Sequence, residues 1–318
     1  MPIPPGLPFD GRYNRYSAWL RKRYGCRTAR VGVDGGFSCP NRRPDGTGGC
    51  AFCDSDGSRS PVLGDATGIG EQIDRSAAFM RGRYGARALL LYFQAYTSTY
   101  APADRLRELY DAALARDDFR GLIVSTRPDC LDGEKADLLA SYAERGLDVW
   151  VEMGLQSSCD ATLSRIGRGH TAADFDAALG LLRDREIPAA AHVIFGLPGE
   201  TDAEMLGTIR YLAGRRIDGI KIHDLHIPYG CALYEPAREG KITLLSSERH
   251  LDLCVRALEL LPPETLIQRL TTDTPASRRA FPEIPIEKAS FYRSLEAELL
   301  RRDTYQGRLY PGEKASPS

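Results

Sequence analysis

The chain has 318 residues with 42 Lys and Arg against 43 Asp and Glu, a formal net charge of −1, and 42% hydrophobic and 27% charged residues. Such a balance excludes a mainly disordered chain, and no global basicity argues for nucleic acid. The longest apolar stretches, such as 88–93, fall far short of the ~20 residues that span a bilayer, and the N-terminal MPIPPGLPFDGRYNRY lacks the apolar core of a secretory signal, so a soluble, cytoplasmic chain with no membrane partner is expected.

The first informative stretch is 11–33, which holds seven Arg and Lys and no acidic residue, interleaved with Tyr13, Tyr16, Trp19 and Tyr24. Basic side chains can neutralise phosphates while aromatic rings stack on bases; the competing reading is an ordinary solvated helix face. From there β-rich runs alternate with helical patterns. Strands are expected at 29–33, 88–94, 121–125, 148–154, 189–195 and 219–227, with a seventh candidate at 265–269. Helices are expected at 70–83, 103–116, 134–145, 171–185 and 202–214, then at 247–260 and 286–302. Continuous apolar strands separated by single helices indicate right-handed βαβ units in a parallel sheet. The expected fold class is therefore α/β, a partial (β/α)6 TIM-like barrel of parallel strands with a C-terminal helical extension. In domain terms this gives a basic and aromatic N-terminal segment at 1–28, a core at 29–230, an extension packed on the core at 231–305 and a flexible tail at 306–318.

Functional residues of a parallel barrel lie on loops at the C-terminal ends of its strands. After the first strand comes a glycine-rich loop with Cys39, Cys50 and Cys53 spaced C-x10-C-x2-C. Three thiolates leave one metal corner open, which suits a [4Fe–4S] cluster with one free iron; structural zinc with a distant fourth ligand, or plain buried cysteines, are the alternatives. The other five cysteines read as small buried hydrophobes.

The ordered segments GGFSCPN, GTGGCAFC, YFQAYTSTY, STRPDCL, EMGLQS, RIGRGH, HVIFGLPGE and GIKIHDLHI, spanning about 14–270, resemble the radical S-adenosylmethionine (SAM) superfamily. More narrowly they resemble its YhcC/YtqA-type subfamily, which is related to the catalytic subunit of Elongator. The resemblance implies a [4Fe–4S] cluster on Cys39, Cys50 and Cys53, and reductive cleavage of SAM to a 5′-deoxyadenosyl radical with electrons from a donor such as flavodoxin or ferredoxin. It implies SAM contacts at strand ends from Gln94, Thr126, Gln156, Arg168 and His192, with Arg168 suited to hold the SAM carboxylate through a forked guanidinium. Lys221 and His223, expected on one face of the sixth strand, and Cys130 are candidates for substrate contact or proton transfer. Arg127 can hold an anion or pair structurally with Asp129. Elongator's catalytic subunit modifies the wobble-uridine C5 position of tRNA, so the resemblance makes tRNA the first substrate expectation. The second is a small molecule or peptide in cofactor biosynthesis, and a non-catalytic zinc module is a third class.

Overall fold

Seven apolar runs pair edge to edge, nearly all in chain order, and the helices between them fall on the outside. The computed structural model describes residues 7–312 apart from 44, 46, 273 and 276. In chain order the elements are α1 (Tyr16–Tyr24), β1 (Thr28–Val33), α2 (Ile69–Tyr84), β2 (Ala88–Phe93), α3 (Ala103–Leu114), β3 (Phe119–Thr126), α4 (Gly133–Glu144), β4 (Asp148–Gln156), α5 (Asp160–Arg165), α6 (Ala172–Arg183), β5 (Ala189–Phe195), α7 (Asp202–Gly214), β6 (Gly219–Asp224), β7 (Ile227–Pro228), α8 (Tyr234–Arg238), α9 (Ser247–Leu260), β8 (Leu266–Arg269), β9 (Arg279–Phe281) and α10 (Lys288–Arg301). The main sheet is seven-stranded, ordered β1-β2-β3-β4-β5-β6-β8, and every neighbouring pair is parallel. The run at 265–269 thus becomes the seventh strand, beside β6 rather than in a separate extension.

Alternation along each strand sorts the side chains. Val31, Val33, Leu89, Leu91, Phe93, Val149, Val151 and Met153 face outward and form one core with the helices. Leu90, Tyr92, Ile123, Trp150, Ala190 and Leu266 face inward and meet Tyr16 and Leu20 of α1. The sheet does not close: β1 and β8 are its two edges, and the gap is bridged where Asn14 accepts the Ile267 amide at 2.8 Å. Helix α1 fills the lower part of that gap, with Trp19 and Tyr16 ring-packed on Trp150 at centroid distances of 5.8 and 6.2 Å. Threonines start two of the helices: Thr171 and Thr201 each form a reciprocal capping box, with Asp174 and Glu204 respectively.

Three expectations need correction. The sixth strand was expected to run to 227, but β6 ends at Asp224, whose carboxylate accepts from Thr271 Oγ1 at 2.9 Å and the Thr272 amide at 2.6 Å. Those bonds pull the chain out of the sheet, and Ile227–Pro228 pairs antiparallel with β9 instead. The aromatic residues of 11–33 are not a free stacking face: Tyr13 and Tyr16 are buried and Trp19 and Tyr24 pack on the inner core. The residue opening the expected tail, Gln306, is fully buried and donates to the carbonyls of Pro262 at 2.7 Å and Thr265 at 2.9 Å, while 313–318 lie outside the described residues.

The inner packing gives a stability prediction. Trp150→Ala should cost about 3–5 kcal/mol, because the cavity left between α1 and β4 cannot collapse against rigid strands. A urea midpoint within error of the parent's would show that α1 does not depend on this contact.

Candidate functional site

A cavity of about 790 Å³ occupies the lumen and its mouth at the C-terminal strand ends. Cys39, Cys50, Cys53, Gln94, Thr126, Arg127, Gln156, Arg168, His192, Lys221 and His223 all line it. A larger space of about 1000 Å³ lies at the other end beside α1, lined by Trp19, Lys22, Arg23 and Trp150 among others, and no cysteine or histidine reaches it. The groups capable of chemistry sit at the strand-end cavity.

The cysteine loop is shaped by its own backbone and by cations. Cys39 accepts the Arg42 amide and Cys50 the Cys53 amide through their carbonyls, each at 2.9 Å, while Ala51 donates to Ile166 across the cavity mouth at 2.8 Å. Arg168 Nη1 lies 3.3 Å from Cys50 Sγ, Asn41 Nδ2 3.4 Å from the same sulfur, and Arg42 Nη2 3.3 Å from Cys53 Sγ. Burial alone would raise the Cys50 thiol, but Arg168 and Asn41 bring it below its ordinary value; Cys53 stays raised by burial, with Arg42 opposing. Among the described residues no three His, Cys, Asp or Glu side chains converge on a point suited to one metal ion. That disfavours a tetrahedral zinc, which draws its ligands to about 2.0–2.3 Å. A cluster takes each thiolate on a separate iron and needs no common point, and three free thiols beside cationic donors suit its anionic thiolates.

Arg168 is positioned by a glycine. Its Nη2 donates to the Gly154 carbonyl at 2.8 Å, and a Cβ on Gly154 would come within 2.6 Å of that nitrogen. Its Nε is buried without a partner, so one donor remains to be satisfied at the cavity. Just beyond, β4 carries a bulge between Gly154 and Gln156, and Gln156 adopts φ of 73°, a left-handed conformation unusual for a non-glycine residue.

The other strand ends are more committed. Gln94 donates to the Ser58 carbonyl of the cysteine loop at 2.9 Å. Thr126 Oγ1 bonds Thr99 Oγ1 at 2.5 Å. Arg127 forms the structural pair, gripping Asp129 at 2.9 and 2.7 Å and bonding the Arg168 carbonyl at 2.7 Å. Ser157 accepts the Cys159 amide at 3.0 Å just before α5. Cys130 is buried off the cavity wall, with its thiol pushed up to about 11 by burial, so it does not join the other candidates. His170 also turns inward, its Nε2 3.0 Å from the Gly154 carbonyl oxygen.

Deeper in the lumen stands a network around Glu152 of the EMGLQS segment. Glu152 is fully buried at the centre of β4. Arg30 Nη1 reaches its Oε1 at 2.7 Å; Tyr92 Oη donates to Oε2 at 2.7 Å, His192 Nε2 lies 3.0 Å from Oε2, and Lys221 Nζ reaches the same oxygen. Burial opposes the charge, but Arg30 and Lys221 hold the Glu152 carboxyl well below its ordinary value. Burial pushes His192 down to about 4, so its contact with Glu152 is a neutral imidazole hydrogen bond. Burial likewise pushes Lys221 down to about 7 against the pull of Glu152. His223 lies beside His192 at a ring distance of 5.7 Å, and burial together with Arg269 keeps it well below its ordinary value. The available sequence signal was alternation: Arg30 shares the inward face of a short strand with Gly32, and Tyr92 shares one with Gln94.

Two measurements follow from these surroundings. Glu152→Gln leaves Arg30 and Lys221 buried without an anion and should destabilise the protein by about 3–5 kcal/mol in urea unfolding; an unchanged midpoint would refute the network's structural role. Glu200, which accepts from the Ser157 hydroxyl, has its carboxyl raised by burial from 4.5 to about 7. The folded state therefore holds this proton more tightly than the unfolded one, so the group's cost is absent below about pH 4.5 and grows as the pH rises through about 7. Glu200→Gln should stabilise the protein more at about pH 8 than at about pH 5, and equal shifts at both would contradict the raised carboxyl.

The model of the Radical SAM superfamily matches residues 39–212, and that of the Radical_SAM C-terminal domain matches 217–301. YtqA of Bacillus subtilis (strain 168) is 35% identical over 304 residues, covering 95% of this chain and 94% of YtqA. Elongator complex protein 3 of Danio rerio is 30% identical over 159 residues, which are 49% of this chain and 28% of that protein. Among solved structures, Elp3 of Methanocaldococcus infernus lacking residues 1–46 superposes with a TM-score of 0.69 at 17% identity, covering 88% of this chain and 64% of that one. With the half-barrel, the three-cysteine loop and these matches together, the chain belongs to the radical SAM superfamily, enzymes that use a [4Fe–4S] cluster and SAM.

Proposed function

We propose that Cys39, Cys50 and Cys53 each hold one iron of a [4Fe–4S] cluster, and that SAM binds across the strand ends between Gln94, Thr126, Gln156, Arg168 and His192. The observation that carries this reading is three free thiols of one loop lining the strand-end cavity, with Arg168 set against Cys50. When bound and reduced by one electron, the cluster supplies cleavage of SAM to methionine and a 5′-deoxyadenosyl radical. The chain's own residues bind and shield. The unpartnered Nε of Arg168 offers a donor for the SAM carboxylate, and Gln156 is aimed by the β4 bulge. Thr126 has its hydroxyl engaged by Thr99 and contributes wall rather than a free donor. Below them the Glu152 network lines the lumen with paired charges. A flavodoxin or ferredoxin is the electron-donor class that fits, in a cytoplasmic setting.

For the substrate, the likeness to Elongator complex protein 3 over half of the chain supports tRNA, modified at the wobble-uridine C5. A second reading, a small molecule or peptide, is favoured by the N-terminal segment: Tyr13 and Tyr16 are buried, and Arg12, Arg15, Arg23 and Arg30 pair with Asp303, Glu296, Asp148 and Glu152. This leaves few of the groups that RNA phosphates and bases would need. Steeply salt-dependent tRNA binding would decide for the first, and its absence for the second.

Anaerobic reconstitution with iron and sulfide, followed by SAM and a reductant, should yield 5′-deoxyadenosine. Cys39→Ala, Cys50→Ala and Cys53→Ala should each abolish both cluster and product, whereas Cys254→Ala, buried on α9, should retain its iron. A cysteine-loop variant with full iron and full SAM cleavage would remove that residue from the ligand set.

A further inference from the structure

The wall of the lumen formed by β6 and β8 gathers cationic and donor groups. In the ladder Lys221 sits between His192 on β5 and Arg269 on β8, and His223 lies two residues further along the same face of β6. Arg30 and Lys221 share the charge of Glu152, and His192 is neutral beside it. Asp224 is occupied by Thr271 and Thr272. Arg269, half-buried and lining the cavity, has no acidic or hydrogen-bonding partner among the described residues.

A bulge explains how two neighbouring residues of one strand reach the same cavity. Ile220 pairs with Ile267 and Lys221 with Arg269, which makes Gln268 the extra residue, and both Gln268 and Arg269 line the lumen. Gln268 Oε1 accepts from Arg30 at 3.0 Å, which turns its Nε2 away, buried and without a partner. The Arg269 guanidinium keeps its charge and faces the cavity, where its donors can meet an acceptor that arrives from outside. The planar fork of Arg269 matches the two oxygens of a carboxylate or phosphate. This wall stands three strands along the sheet from β4, where Arg168 is seated on Gly154, so the two anion-seeking arginines address different parts of the cavity.

We propose that Arg269, flanked by His223, binds an oxyanion of the substrate at the β6–β8 wall. The inference rests on the radical SAM reading for the word substrate, since it assigns this wall to the molecule that meets SAM in the lumen. The substrate class is then an anionic one, with the carboxylate or phosphate held deep in the half-barrel.

The test is calorimetric titration of the reconstituted protein, saturated with SAM so that the Arg168 side is filled, using inorganic phosphate and, separately, acetate. At least one should bind the parent protein, and Arg269→Gln should weaken it by about 10- to 100-fold, the loss of one charge-assisted contact. Phosphate alone would identify a phosphorylated substrate and acetate alone a carboxylated one. Arg269→Lys keeps the charge without the fork and should fall between, which preserves the test if the Gln variant misfolds. Unfolding midpoint and iron content check that each variant is intact. No binding of either anion by the parent up to about 10 mM, or equal binding by Arg269→Gln, overturns the proposal. Failure to assemble a cluster would instead count against the radical SAM reading, because the same protein can still be titrated with both anions.

Discussion

A single carboxylate fixes the interior of this half-barrel. Glu152 stands on the inward face of β4 with no contact to solvent, and ionising it there demands partners. Those partners come from four other strands: Arg30 from β1, Tyr92 from β2, His192 from β5 and Lys221 from β6. A one-residue slip of any of these strands would turn its partner out of the lumen, so the network specifies register as well as charge balance. It also divides the interior. Below it lie Tyr16, Leu20, Leu90, Ile123 and Trp150, an apolar floor closed by α1; above it the wall becomes polar and opens toward the cysteine loop.

The cysteine loop has little regular structure, and its order is borrowed from elements distant in sequence. Asn41 ties it to the carbonyls of Gly167 at 2.9 Å and Arg168 at 2.7 Å, Gln94 holds Ser58, and Tyr96 holds Ser55. Arg278, from the far end of the chain, grips Asp54 at 2.9 and 2.5 Å and the Arg59 carbonyl at 2.8 Å. The C-terminal part therefore acts as a clamp on the loop as well as supplying β8, so the two family matches meet in one site instead of forming separable units. Phe52, between two of the cysteines, packs into the cluster of Leu163, Ile166 and Leu197 and anchors the loop from below.

The sheet was legible because its strands are runs such as ALLLYF, buried along their whole length, between helices of helical period. The spacing of the three cysteines marks them as ligand candidates, and it is the resemblance of the surrounding segments that favours a cluster over zinc. The aromatic residues near the N-terminus were misread: Tyr16, Trp19 and Leu20 fall at i, i+3 and i+4, a helical stripe, and the charges around them drew attention to the solvent side. The pairing of Arg127 with Asp129 was one of the two readings open from the sequence, but nothing local could reveal that Asp224 would end β6, or that bulges at Gln156 and Gln268 would aim those side chains. Each depends on a partner brought close by the fold. Arg269 is the clearest case, because it has no acidic or hydrogen-bonding partner among the described residues, which appears only when the surrounding strands are in place.

The dimensions of the cavity constrain both substrate readings in the same way. About 790 Å³ lies toward the upper end of the roughly 300–1,000 Å³ range of single small-ligand sites, and here it must admit the cofactors together with the reacting part of a substrate. The half-barrel is open between β1 and β8, but α1 fills the lower part of that gap, so access is from the strand ends. A folded RNA or protein could not enter. A nucleic-acid substrate would have to present one nucleotide turned out of its stack, and a peptide an extended end. Either would bring a phosphate or a carboxylate into a lumen whose β8 wall carries the Arg269 guanidinium. The same wall is equally suited to a small anionic metabolite entering whole, and for that molecule the buried aromatic face of α1 would need to make no outside contact at all.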